Sequence, residues 1–184
     1  MKIAFATGNK GKVNEAKEIL KQFEIHIIQK DIELDEPRSE SLEEIAIAKA
    51  SQAEKILKMP VIAEDSGLII KTLNGFPGTN SRWVFDKIGD DGILKLMNDT
   101  KEHSAVFKAV VAFKEPGKEP VIFTGTQVGT IANKRAGKGG FGFDPIFIPK
   151  GETQTWGQAP ELKSKSSHRK VAIEKFAEWA KENL

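Results

Sequence analysis

With 184 residues, 39% of them hydrophobic, the chain carries enough apolar material for one folding unit, 1–184, or at most two small lobes sharing a core. It has no Cys, which excludes disulfides, thiolate metal sites and a cysteine nucleophile. A net charge of +2 with 29% charged residues is mixed rather than basic, so charge makes no case for a stable nucleic-acid partner. No apolar run approaches the roughly 20 residues of a membrane span, and the first residues enter a strand pattern without a signal core. A soluble, cytoplasmic protein without a membrane partner is the expectation.

Ile3 to Ala6 is an apolar run of strand length that stops at Thr7-Gly8-Asn9-Lys10-Gly11-Lys12, after which Val13, Ala16, Ile19, Leu20 and Phe23 recur at helical spacing. A strand, a tight loop and a helix N-terminus in succession bind anions. Unpaired N–H groups and the positive end of the helix dipole converge there, the glycines let a ligand approach, and the lysines add charge. A phosphate group is the natural guest, although Gly-Asn and Lys-Gly pairs are also plain turn chemistry. The P-loop NTPase pattern is excluded, because Gly8 and Gly11 are too close and no Ser or Thr follows Lys12.

Ile25, Ile27 and Ile28 predict a second strand, and 31–40 an acidic loop holding Pro37. Ser41 with Glu44 forms a capping box, opening a helix with Leu42, Ile45, Ala46, Ala53, Ile56 and Leu57 on one face. Lys49 falls on that same face: either its stem packs while its head snorkels to water, or it aims a cation into a cleft. Beyond Met59-Pro60, the runs Val61-Ile62-Ala63 and Leu68-Ile69-Ile70 flank the polar quartet Glu64-Asp65-Ser66-Gly67. Acids between buried strand runs are costly unless paired or holding a metal, so Asp65 is a functional residue or else a turn aspartate before Ser-Gly.

Residues 74–86 begin as a Gly/Pro loop and turn helical, and 89–98 predict another short helix. Residues 105–113 and 121–131 predict an antiparallel hairpin, with Gly125 and Gly129 marking a bulge or close approach. Gly137, Gly139, Gly140 and Gly142 with Phe141 and Phe143 offer pliable backbone and flat apolar faces. That suits a stacked purine, or simply a sheet corner with two core phenylalanines; Asp144-Pro145 closes the segment. Lys163 to Lys170 places His168 and Arg169 at the start of a last helix whose inner face is Ala172, Phe176, Trp179 and Ala180. Cations at a helix N-terminus make sense where an anion or acceptor arrives, and are otherwise a solvated basic turn.

In order along the chain, TGNKGK (7–12), EDSG (64–67), GFPG (75–78), GFGFDPIF (140–147) and SHR (167–169) resemble the inosine triphosphatase, or Ham1-like, family of pyrophosphatases acting on non-standard purine nucleoside triphosphates. The resemblance implies hydrolysis of ITP, dITP and XTP to the monophosphate and pyrophosphate with Mg²⁺, by a homodimer, cleansing the nucleotide pool. It implies an α/β fold, a long mixed twisted β-sheet with flanking helices, forming two lobes around a central nucleotide-binding cleft. By similarity, Thr7, Gly8, Asn9, Lys10, Gly11 and Lys12 would hold phosphate, with Lys12 also catalytic through the charge on the leaving group. Glu36 and Asp65 would bind the metal, with Asp65 also accepting a proton from water; the loop around Glu36 differs in length from other members, and Glu33, Asp35 and Glu40 lie near it. Lys49, Ser66, Arg82 and Lys163 would line the nucleotide site. Phe141, Gly142, Phe143 and Asp144, with His168 and Arg169, would enclose the base. The chain departs from the family at Gln158, usually an acid, at Ser164, commonly Asn, and at Phe143, often Trp.

Two other readings compete. Maf-like pyrophosphatases also cleave at the α-phosphate, but GFGFD and SHR argue against them. A binding module without catalysis is motivated by the basic stretches and aromatics.

Overall fold

The opening apolar run forms β1 (Lys2–Ala6), buried from Ile3 onward, in the computed structural model, which describes residues 2–184. It leads through α1 (Lys10–Lys21) to β2 (His26–Lys30), which lies parallel to it with Phe5 opposite Gln29. A helix is the connection that parallel neighbours need. Ser41 caps α2 (Leu42–Leu57), its hydroxyl accepting from the Glu44 N–H at 3.2 Å, but the expected box is not closed directly: the Ser41 N–H donates to Ser39 Oγ, which donates to Glu44 Oε2. Next comes β3 (Val61–Ile70), also parallel to β1, with Phe5 opposite Ile62.

The short β4 (Pro77–Gly78) pairs antiparallel with β3. Helix α3 (Ser81–Met97) breaks at Gly89 (φ 60°, ψ −163°), so the two helices expected from the sequence are its two halves. Strands β5 (Ser104–Lys114), β6 (Val121–Ile131) and β7 (Phe147–Pro149) follow, then α4 (Pro160–Lys165) and α5 (His168–Asn183). The seven strands run in the order β2-β1-β3-β5-β6-β7, with β4 on β3, and mix parallel and antiparallel pairs. Gly129 marks a close approach, since a Cβ there would lie 2.3 Å from the Ile148 carbonyl oxygen.

The chain forms two compact units. The first is the chain up to Asp65 with Ala109–Gly125 and Arg169–Leu184. There the alternation along β1 sorts its packing: Ile3 and Phe5 meet Val13, Ala16 and Leu20 of α1 and Ala172, Phe176 and Ala180 of α5, whereas Ala4 and Ala6 meet Ala53 of α2. The second unit, Ser66–Lys108 with Thr126–His168, buries Leu68, Ile70, Val84, Ile93, Phe107, Phe147 and Trp156. Among the described residues no helix is long and apolar enough to cross a membrane.

Two expectations are corrected. Ile56 is 57% exposed while Ile45 is buried, although 11 residues bring them back to almost the same angle on a helix; spacing alone could not separate them. The polar quartet is neither a turn nor a strand end but lies inside one continuous ten-residue strand, buried at Glu64 and Asp65. Glu64 can be buried there because it is paired, as described next.

Candidate functional site

In the first unit, Thr7 is tied back to the sheet: its N–H donates to the Lys30 carbonyl at 3.0 Å and its own carbonyl accepts from Gln29 Nε2 at 3.0 Å. Its hydroxyl accepts from the Asn9 N–H at 3.1 Å, and Asn9 Oδ1 caps α1 by accepting from the Lys12 N–H at 3.2 Å. Lys10, Gly11 and Lys12 therefore form the first turn of α1, which holds no acid. Two ammonium groups at that end oppose the helix dipole, and an anion arriving there relieves both.

Lys12 Nζ reaches Glu64 Oε2 at 3.1 Å and the Glu64 carbonyl at 3.3 Å. Glu64 also takes the Arg169 guanidinium side-on, Nε to Oε2 and Nη2 to Oε1, each at 3.2 Å, and Arg169 Nη1 bonds Glu15. Glu64 and Arg169 are 1% and 2% exposed. A bidentate carboxylate is the partner a buried guanidinium needs.

Asp65 follows Glu64 in β3 and points to another set of groups. Lys49 Nζ lies 2.6 Å from Glu36 Oε1 and 3.8 Å from Asp65 Oδ1, so the inward lysine of α2 joins the two carboxylates. Asp65 Oδ2 is buried with no hydrogen-bond partner among the described residues. Burial pushes the Asp65 carboxyl up to about 6, against the opposing pull of Lys12 and Lys49.

Two carboxylates are hard oxygen donors, and the buried orphan oxygen of Asp65 is a position a cation would satisfy. No group of three or more His, Asp or Glu arranged for a metal occurs among the described residues. A site with two carboxylates suits Mg²⁺, which keeps waters and shares itself with substrate phosphates. The residues present fit that ion.

In the second unit, Ser81 Oγ accepts from the Leu68 N–H at 2.8 Å and donates to the Gly78 carbonyl at 2.7 Å, which fastens GFPG to the strand carrying EDSG. A Cβ on Gly67 would lie 2.2 Å from that Gly78 oxygen, so the two motifs meet through glycine. Ser66 is half-buried within β3. Arg82 donates to Asp86 one turn along α3 at 2.7 Å and is 77% exposed at its side chain.

The glycine-rich segment separates its two phenylalanines. Phe143 is 3% exposed and packs edge-on against Phe85 with centroids 5.2 Å apart, so it belongs to the core, while the Phe141 ring stays exposed. Buried Asp144 closes the segment: its Oδ2 accepts from the Phe141 N–H and from Lys163 Nζ, both at 2.8 Å. Lys163, brought in by α4, sits 4.0 Å from the centre of the Phe141 ring. His168 is buried, stacked on Phe107 at 4.8 Å and on Trp156 at 5.9 Å. Gln158 Oε1 accepts from the Thr155 N–H at 3.2 Å, a role that a carboxylate oxygen in relatives could fill equally. Gly142 (φ 60°) follows Phe141.

Gly140 is constrained by Asp144. Its φ is +72°, and a Cβ there would lie 2.0 Å from Asp144 Oδ2. Gly140→Ala is expected to displace the Asp144 carboxylate, costing about 2 kcal/mol of stability. Urea unfolding reads the loss, and an unchanged midpoint would contradict the contact.

Sequence reasoning passed over Glu64 and Glu15, the partners of Arg169, and α4, which carries Lys163. The signal for Glu64 was present: EDSG puts two acids between buried strand runs, where each needs a cation.

By fold the chain is an α/β protein built on a mixed seven-stranded sheet with flanking helices. The Ham1 family model matches residues 3–179. A dITP/XTP pyrophosphatase of Methanopyrus kandleri is 51% identical over 100% of this chain and 98% of its own length. One of Methanosarcina mazei is 48% identical over 97% of this chain and 96% of its own. The structure of the Staphylococcus aureus Ham1 protein superposes with a TM-score of 0.87 at 33% identity, covering 100% of both chains. The chain belongs to the Ham1 family.

Proposed function

We propose that the chain hydrolyses the non-standard purine nucleoside triphosphates ITP, dITP and XTP to the monophosphate and pyrophosphate with Mg²⁺, an acid-anhydride hydrolysis that removes these nucleotides from the pool. The observation that carries this reading is Asp65: a buried carboxylate with one unpartnered oxygen, pushed up to about 6, with Lys49 on its other oxygen. Such a group takes a proton near neutral pH.

Water adds to the α-phosphorus, the bond to the bridging oxygen breaks, pyrophosphate leaves, and Asp65 takes the proton from water. Glu36 and Asp65 would hold Mg²⁺, which would supply charge neutralisation at the phosphates and a more acidic water. Thr7 to Lys12 present N–H groups and two ammonium groups to the phosphates, and Lys12 balances the charge that develops on the leaving group. Lys49 adds a second cation, while Ser66 and Arg82 contact the nucleotide. Little covalent chemistry is required, so positioning dominates.

The base goes to Phe141, Gly142 and Asp144, with Lys163 and His168. Phe143 backs the segment from the core, and Arg169 acts through Glu64. Donors that bond O6 reject adenine, whose amino group leaves them unpaired and adds its own hydrogens. The family resemblance extends the proposal to a cytoplasmic homodimer, for which sedimentation showing only monomer at micromolar concentration is the contrary result.

Turnover of ITP, dITP, XTP, ATP, GTP and dTTP, with and without Mg²⁺, tests the activity when pyrophosphate and orthophosphate are detected separately. Metal-dependent pyrophosphate release confined mainly to the first three is the expected result. Orthophosphate as the direct product contradicts it.

A further inference from the structure

A further buried carboxylate, outside all the roles above, lies in the unit that carries the glycine-rich segment. Asp90 follows the Gly89 break in α3 and is 7% exposed, and among the described residues its Oδ1 has no hydrogen-bond partner. Its Oδ2 accepts from Arg135 Nε at 3.0 Å, and the Arg135 side chain is 51% exposed. Burial raises the Asp90 carboxyl above its usual range, Arg135 pulls it back, and Asp144 is among the nearby charges that raise it. An acid kept buried there needs a reason, and the position of Arg135 supplies one.

Arg135 stands where the chain leaves β6 for the glycine-rich segment. From the next residue on, that segment is knitted to the stretch holding Asp144: the Ala136 N–H donates to the Pro145 carbonyl at 2.9 Å, and the Ala136 carbonyl accepts from Thr155 Oγ1 at 2.7 Å. The Gly139 N–H donates to the Gly157 carbonyl at 2.9 Å, and the Gly157 N–H to the Asp144 carbonyl at 3.0 Å. Asp144 in turn holds the Phe141 N–H and Lys163. All of these bonds tie the segment to its own neighbours, whereas the Asp90–Arg135 pair ties its entrance to α3.

We infer that Asp90 and Arg135 are a positioning pair for the base: the ion pair at the entrance of the glycine-rich segment keeps Phe141 and Asp144 arranged for a purine before one binds. The inference rests on the proposed placement of the base at these residues. It predicts that loss of the pair weakens recognition of the nucleoside part and leaves recognition of the phosphates, proposed at Thr7 to Lys12, unchanged. A merely structural role would lower both together.

The test uses the full-length protein with Mg²⁺ and four variants: Arg135→Ala, Arg135→Lys, Asp90→Asn and the double Asp90→Asn/Arg135→Ala. Kinetics with ITP are combined with direct calorimetry of IMP and of pyrophosphate. Arg135→Ala is expected to raise KM for ITP and Kd for IMP about tenfold, the effect of one charge-assisted contact. Values of kcat and of Kd for pyrophosphate stay within about twofold. Arg135→Lys recovers part of the loss, and the double variant is no worse than the poorer single one because one interaction is removed in each case. Equal losses for IMP and pyrophosphate, unchanged IMP binding in Arg135→Ala, or no IMP binding by the wild type would each overturn the inference. A wild-type protein that binds IMP but releases no pyrophosphate from ITP contradicts the proposed activity instead, and the calorimetry still decides the pair.

Discussion

Asp65→Asn is expected to abolish turnover and, in the metal-free protein, to raise thermal stability at the same time. The amide cannot take a proton from water and is a poorer ligand for a hard cation, so the loss is at least about a thousandfold. Stability moves the other way because the native carboxylate is buried with an unpartnered oxygen and its pKa rises from 3.8 to about 6. For an acid, a raised value in the folded state means that folding favours the protonated form. Asp65 therefore costs no stability below its unfolded value, and the penalty grows as pH rises from 3.8 to about 6 and is constant above that. A rise of that size corresponds to as much as about 3 kcal/mol, reduced by whatever the amide hydrogens fail to pair with. Metal-free calorimetry between pH 4 and 8 should show Asp65→Asn pulling ahead of the wild type as pH increases. Full activity, or a wild-type advantage at pH 8, would sink the assignment.

The second large effect lies next door in β3. Glu64→Gln removes the charge that Arg169 and Lys12 share, beside a guanidinium that is 2% exposed and also bonds Glu15. Taking one partner from a buried ion pair is far more damaging than replacing the whole pair, and the expected loss is about 3 kcal/mol. Glu36→Gln is the control, because its carboxylate is 61% exposed at the surface end of the Lys49 pair, where stability barely depends on charge. Urea denaturation should separate the two variants clearly. Equal midpoints would contradict the claim that burial makes the Glu64 network structural.

Neighbouring acids thus have different settings, Glu64 held in ion pairs and Asp65 with one oxygen that has no hydrogen-bond partner among the described residues. The strand explains it: successive side chains leave on opposite sides, so Glu64 meets Arg169 and Lys12 while Asp65 meets Lys49. Composition and motif order could not distribute these partners, because Arg169 comes more than a hundred residues later.

Other parts were legible for definite reasons. Helix caps are local, so the Ser41 cap followed from spacing, whereas Lys10 to Lys12, expected in the loop, form the first turn of α1. Lys49 was marked by its place on an apolar face, and the structure pairs it with carboxylates rather than releasing it to water. The continuity of β3 was hidden because the cost of its acids is offset by residues distant in sequence. Phe141 and Phe143 have the same chemistry in sequence; the Phe85 contact that buries Phe143 and the Lys163 ammonium over Phe141 separate them. His168 and Arg169, adjacent in the SHR motif, fall into different units. A short motif conceals that division.

The proposed chemistry is tested most directly by hydrolysing ITP with the Mg²⁺-loaded enzyme in oxygen-18 water and weighing the products by mass spectrometry. Attack of water on the α-phosphorus predicts one labelled oxygen in IMP and none in pyrophosphate. Label in pyrophosphate, or in orthophosphate released beside IDP, would mean that water attacks another phosphorus, contradicting the roles given to Asp65 and Lys12.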